Sequence, residues 1–132
     1  MITLNVPAGK RMEFVDITGK IRELFKSNNW SDGILMIYCP HTTAAITINE
    51  AADPSVQTDI ISTLEKLIPY HGSYDHMEGN SDAHIKASLV GPSEQVLVED
   101  GRLVLGTWQG IFFCEFDGPR DRKCHVKFIS CK

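Results

Sequence analysis

The chain has 132 residues, 42% hydrophobic and 23% charged, with a formal net charge of −4. That length and composition suit a single domain over residues 1–132, large enough to bury a core without disulfide or metal staples. The acidic balance argues against a general nucleic-acid binder, which carries a basic stripe. No apolar run approaches the roughly 18 residues of a membrane-spanning helix, and the first residues lack a secretory leader, so the cytoplasm is the default compartment.

Ile2 to Val6 alternates apolar and polar residues and predicts a strand, followed by a turn at Pro7-Ala8-Gly9-Lys10. Met12 to Ile17 alternates again, so the two runs together suggest a hairpin. Thr18 is placed to cap a short helix whose apolar positions are Ile17, Ile21, Leu24 and Phe25, ending at Asn28-Asn29. After a turn at Ser31-Asp32-Gly33, Ile34 to Cys39 is apolar throughout, as in a strand covered on both faces. Pro40 breaks it, and Thr42 to Ile48 resumes strand character. Asp53-Pro54 is a strong helix start, with Asp as cap and Pro at the first helical position. Val56, Ile60, Ile61, Leu64, Leu67 and Ile68 then mark one face until Pro69 stops the helix.

Tyr70 to Asn80 has no periodicity and reads as a long loop, a kind of segment that often carries function. Ser81 is placed to cap a short helix through Leu89, with His84 and Ser88 four apart on one face. The last third predicts antiparallel strands at Gln95–Glu99, Arg102–Leu105, Ile111–Phe116 and Cys124–Ser130, with a hairpin signal at Asp100-Gly101 and a charged turn over residues 117–123. The fold class is therefore α+β: a mostly antiparallel β-sheet with two or three inserted helices in one compact domain.

Four of the five histidines lie between residues 41 and 84. His41, following Pro40 at a strand junction, reads either as a hydrogen-bonded strand-end histidine or as a metal ligand or general acid/base, with Thr42 and Thr43 beside it to hold an anionic oxygen. Glu50, with Asn49 adjacent, has no evident structural task and is placed to orient a histidine, back a metal ligand or serve as base. His76 and His84 bracket a glycine-containing turn. With His41 they supply three nitrogens for a divalent metal, zinc or magnesium, leaving a position open for water or substrate. His71 reads as surface. Gly79-Asn80-Ser81 ahead of a helix offers backbone N–H groups to a phosphate, with Lys86 and Arg120 as positive charges; ordinary capping by Ser81 is the alternative. Gln109 suits a heterocycle, and Trp108 reads as core or subunit interface ahead of a stacking platform. The candidate catalytic residues are His41, Glu50 and His84. No CxxC pair occurs; Cys39 and Cys114 read as small core residues, and a Cys124–Cys131 disulfide is a minor alternative for a chain without export signals.

Taken together, Cys39-Pro40-His41-Thr42-Thr43-Ala44 through Asn49-Glu50, the Tyr74-Asp75-His76-Met77-Glu78-Gly79 loop, His84-Ile85-Lys86-Ala87-Ser88 and Gly106-Thr107-Trp108-Gln109-Gly110-Ile111 resemble the YjbQ family, in order and over nearly the whole chain. The resemblance implies a compact α+β homotrimer that binds a metal or anion at a histidine-containing cleft. It further implies a secondary thiamine-phosphate synthase activity, a transferase reaction joining a pyrimidine diphosphate to a thiazole phosphate with release of pyrophosphate. Two other readings compete with it: a metal-dependent hydrolase of a small phosphorylated or lactone-like substrate, and a non-catalytic metal- or anion-binding oligomer. The expected partner is a small phosphorylated molecule, with no nucleic acid and no membrane.

Overall fold

A computed structural model describes residues 1–131. Among these, eight strands and three helices follow the order β1 (Ile2–Ala8), β2 (Glu13–Asp16), α1 (Thr18–Ser27), β3 (Gly33–Tyr38), β4 (Ala44–Glu50), α2 (Pro54–Leu67), α3 (Ser81–Val90), β5 (Ser93–Glu99), β6 (Arg102–Leu103), β7 (Gln109–Glu115) and β8 (Arg120–Ser130). They build two antiparallel sheets, one ordered β1-β8-β3-β5-β6 and the other β2-β7-β4. The predicted α+β class, mostly antiparallel, is what the chain adopts.

The alternation of each strand decides where its residues go. One core lies between the sheets: Val6, Leu35, Ile37, Val96, Val98, Cys124 and Val126 of the larger sheet meet Ile46, Ile111 and Phe113 of the smaller, with Ile17 and Ile21 closing one side. The other face of the small sheet carries a second cluster, in which Ala45, Phe112 and Cys114 pack against Ala83 and Ala87 of α3. Each fully buried Ile or Phe contributes roughly 1.5–3 kcal/mol, so these two clusters supply most of the drive to fold.

Several local expectations are corrected. β1 and β2 do not form a hairpin: β1 pairs with β8, Ile2 opposite Val126, and β2 pairs with β7, Glu13 opposite Glu115, so the two enter different sheets. β3 is buried on one face only; Ile34 and Met36 are partly covered and Tyr38 is exposed. Thr18 begins α1 rather than capping it, and its hydroxyl accepts the Ile111 N–H at 2.8 Å. Ser81 likewise is the first helical residue of α3; Asn80 holds the cap position without a side-chain cap bond. Only Asp53 caps as foreseen, accepting from the Ser55 N–H at 2.9 Å. The charged run 117–123 is half turn and half strand, since β8 starts at Arg120.

Two surfaces remain apolar and uncovered. On the larger sheet Tyr38, Leu97 (61% exposed) and Ile129 face outward. Along α2 no residue is fully buried despite its apolar stripe. All four cysteines are free, Cys39, Cys114 and Cys124 buried and Cys131 exposed, so the Cys124–Cys131 disulfide does not form.

Candidate functional site

The residues singled out by sequence fall into three places. The first is the end of the sandwich where β4 begins. Pro40 carries the chain away from β3, whose pairing with β8 stops at Tyr38 opposite His125. Beyond that pair the Lys123 N–H of β8 has no strand carbonyl to meet, and it donates to His41 Nε2 at 2.9 Å. The His41 ring stands edge-on to Phe113, 6.4 Å between centroids. Burial pushes its pKa below 6.5, and the nearby Arg122 charge adds to that. A neutral ring with Nε2 accepting carries its proton on Nδ1, so the basic lone pair is already engaged. Thr43 is buried and also committed: its hydroxyl accepts from Arg122 Nη2 at 2.8 Å. Arg122 in turn forks onto the fully buried Glu115, Nε to Oε1 at 2.7 Å and Nη2 to Oε2. Thr42 is exposed.

The second place is the far end of the seven-residue β4, about 20 Å away at the usual strand rise. Here Asn49 lies opposite Gly110 and Glu50 opposite Gln109. Their polar groups serve the local backbone. Asn49 Oδ1 accepts from the Glu50 N–H at 2.7 Å, Glu50 Oε2 from Ala52 at 2.8 Å, and Gln109 Oε1 from Gly106 at 2.7 Å. Trp108 is neither core nor buried; it is 63% exposed beside them. His41 and Glu50 therefore do not share a cleft within one chain.

The third place is the start of α3, where His76 and His84 do converge, their rings perpendicular and 5.3 Å apart. They line an open pocket of about 360 Å³ with Tyr74, Asp75, Ser81 and Ile85. His76 Nε2 also lies 3.7 Å from Glu78. Gly79 adopts φ +79°, turning the chain into the helix. The Asn80 side chain, instead of capping, donates Nδ2 to Asp117 at 2.9 Å, and its buried Oδ1 has no partner among the described residues. The α3 N-terminus thus lacks a side-chain cap and opens beside two imidazoles and the Ser81 hydroxyl.

Lys86 does not reach this pocket. It is fully buried, its Nζ donating to Asp82 Oδ2 at 2.8 Å and Glu65 Oε1 at 2.6 Å. Asp82, also fully buried, takes a second cation in the forked Arg11 guanidinium at 3.0 and 3.1 Å. Burial raises the Asp82 pKa, but hydrogen bonds and charge from Arg11 and Lys86 outweigh it and hold the carboxyl below its ordinary 3.8. Arg120 pairs with Asp117 at 3.1 Å. The two ion-pair systems built on Glu115–Arg122 and Arg11–Asp82–Lys86 escape a reading of motifs. Strand parity carries the signal for the first, because Arg122 shares an alternating face with Cys124 and Val126.

Among the described residues no group of three or more His, Cys, Asp or Glu side chains is placed to hold an ion. Within one chain His41 does not join His76 and His84, which corrects the expected three-histidine cluster.

The family model for UPF0047 proteins, YjbQ-like, matches residues 2–131. The chain belongs to the YjbQ/UPF0047 family. It is 57% identical to a UPF0047 protein of Methanocaldococcus jannaschii over 96% of this chain and 92% of that one. To the UPF0047 protein YugU of Bacillus subtilis it is 51% identical, covering 97% and 98%. A crystal structure of a conserved YjbQ/UPF0047-family protein from Clostridium acetobutylicum superposes with a TM-score of 0.95 at 53% identity, covering 98% of this chain and all of that one. The family resemblance thus holds, and the fold with it. The transferase and thiamine-phosphate synthase expectation is corrected: the matched family and its relatives carry names that state no reaction, and no three-donor metal cluster is formed among the described residues of one chain.

Proposed function

We propose that this YjbQ-family protein binds a small phosphorylated molecule in the His76–His84 pocket. The observation that supports this is the convergence of two imidazoles on the uncapped N-terminus of a ten-residue helix. Helix N–H groups and the helix dipole favour anionic oxygens, and the Ser81 hydroxyl and imidazole N–H groups add donors at the same place. The acidic Asp82 in the first turn does not spoil the site, because Arg11 and Lys86 answer its charge on the buried side. His84, fixed on the helix, is the group placed to exchange a proton with a bound phosphate. The test is a titration with inorganic pyrophosphate followed through the histidine ring resonances. The expected result is saturable shifts at His76 and His84 that His84→Ala abolishes. Unmoved His76 and His84 resonances at millimolar pyrophosphate overturn the proposal.

The protein works as a homo-oligomer, with a trimer as the expected form. The uncovered apolar residues Leu67, Leu89, Leu97 and Trp108, each more than 60% exposed, favour burial against further copies. Sedimentation showing only a 14.7 kDa species rules this out. No helix is long and apolar enough to cross a membrane, and four free thiols suit a reducing compartment such as the cytoplasm. Recovery of the protein in a soluble cytoplasmic fraction is the corresponding check.

A further inference from the structure

The wall of the histidine pocket comes from two sources. Ser81, His84 and Ile85 belong to α3, whereas Tyr74, Asp75 and His76 belong to the segment between α2 and α3. That segment has no regular ladder to fix it. Within itself it is pinned by the Tyr74 hydroxyl, which donates to the Pro69 carbonyl at 2.5 Å. Outside itself it is tied at its end by Asn80 to Asp117, and at its start by Arg11, whose guanidinium lies 3.5 Å over the Tyr70 ring. Arg11 does more than this. The same guanidinium forks onto Asp82, in the first turn of α3. One side chain from the β1–β2 connection therefore contacts both of the segments that supply the pocket wall.

We infer that Arg11 is a positioning residue for the His76–His84 pocket, holding the loop that carries His76 in register with the helix that carries His84. The chemistry demands arginine. A planar guanidinium presents its edge to a carboxylate and its face to an aromatic ring at the same time, and an ammonium cannot. Lysine at this position keeps the charge near Asp82 and gives up the stack on Tyr70. The loop then loses its tie to the rest of the molecule near Tyr70, while α3 stays attached through Lys86 to Glu65 of α2 and through Ala83 and Ala87 to the small sheet. The effect on ligand binding rests on the proposal that this pocket is the ligand site; the effect on ring geometry does not.

The experiment compares wild type, Arg11→Lys and Tyr70→Leu by the ring resonances of His76 and His84 and by the Kd for inorganic pyrophosphate. Tyr70→Leu removes the stack without touching Asp82, so both variants should displace the His76 resonances, weaken the cross-relaxation between the two rings and raise Kd about tenfold. Unchanged His76 resonances in Arg11→Lys overturn the inference whether or not pyrophosphate binds. Displaced His76 resonances in a protein that binds no pyrophosphate uphold the role of Arg11 and overturn the ligand proposal alone.

Discussion

His41 stands where a strand carbonyl is missing, and its Nε2 takes the Lys123 N–H that the β3–β8 ladder leaves over. A ¹⁵N–¹H ring correlation is expected to show the Nδ1–H tautomer with a pKa below 6.5, and a pKa at or above 6.5 contradicts this account. With the folded pKa lowered, the unfolded chain binds the proton more readily, so stability rises with pH through the interval just under 6.5 and His41→Gln flattens that rise. Lys86 gives a second test. Lys86→Met keeps the volume but strips the fully buried Asp82 of one of two cations, at an expected cost of about 3 kcal/mol in urea unfolding. Asp82 has a lowered pKa, so its contribution is complete above 3.8 and is lost as pH falls through the folded value. The gap between wild type and variant should close in acid. Neither role was readable from residue type. His41 left its structural and chemical readings open, and Lys86 looked like a phosphate ligand because a sequence does not say which face of a short helix is covered.

At the scale of elements, alternation told which residues face inward but not which strands pair. Ile2 to Val6 was legible as a strand, and its partner lies more than a hundred residues away in β8, beyond the reach of local pattern. The α2 start was legible because Asp53 and Pro54 encode it in two adjacent residues, and Asp53→Ala should lower the urea midpoint. Gly33, which closes the predicted Ser31-Asp32-Gly33 turn, is a packing position. A Cβ there meets the Ile129 carbonyl oxygen at 2.1 Å, so Gly33→Ala must push β3 and β8 apart. A loss of about 1–3 kcal/mol is expected in the same unfolding assay, and an unchanged midpoint refutes the assigned crowding.

For the whole molecule, the family motifs occupy three separate places rather than one cleft. His41 and Thr43 close one end of the sandwich, Asn49, Glu50 and Gln109 brace the other, and His76 and His84 share a pocket on the helical side. The motif order along the chain was legible; its distribution in space was not, because the seven-residue β4 holds residues that are only nine apart in sequence at opposite ends of a strand. The uncovered surfaces of the larger sheet and α2 predict a melting temperature that climbs with protein concentration, as association stabilises the folded chain by mass action. A concentration-independent melting temperature contradicts assembly. The thiols bear on how such an assembly is measured. Burial holds Cys39 near 11 and Cys124 near 12, and pushes Cys114 up as well, so all three stay protonated and shielded. Cys131 alone is exposed. A maleimide spin label or fluorophore added to the unaltered protein should attach once per chain, at the same corner of every copy, giving a ready-made ruler for the spacing and symmetry of the subunits.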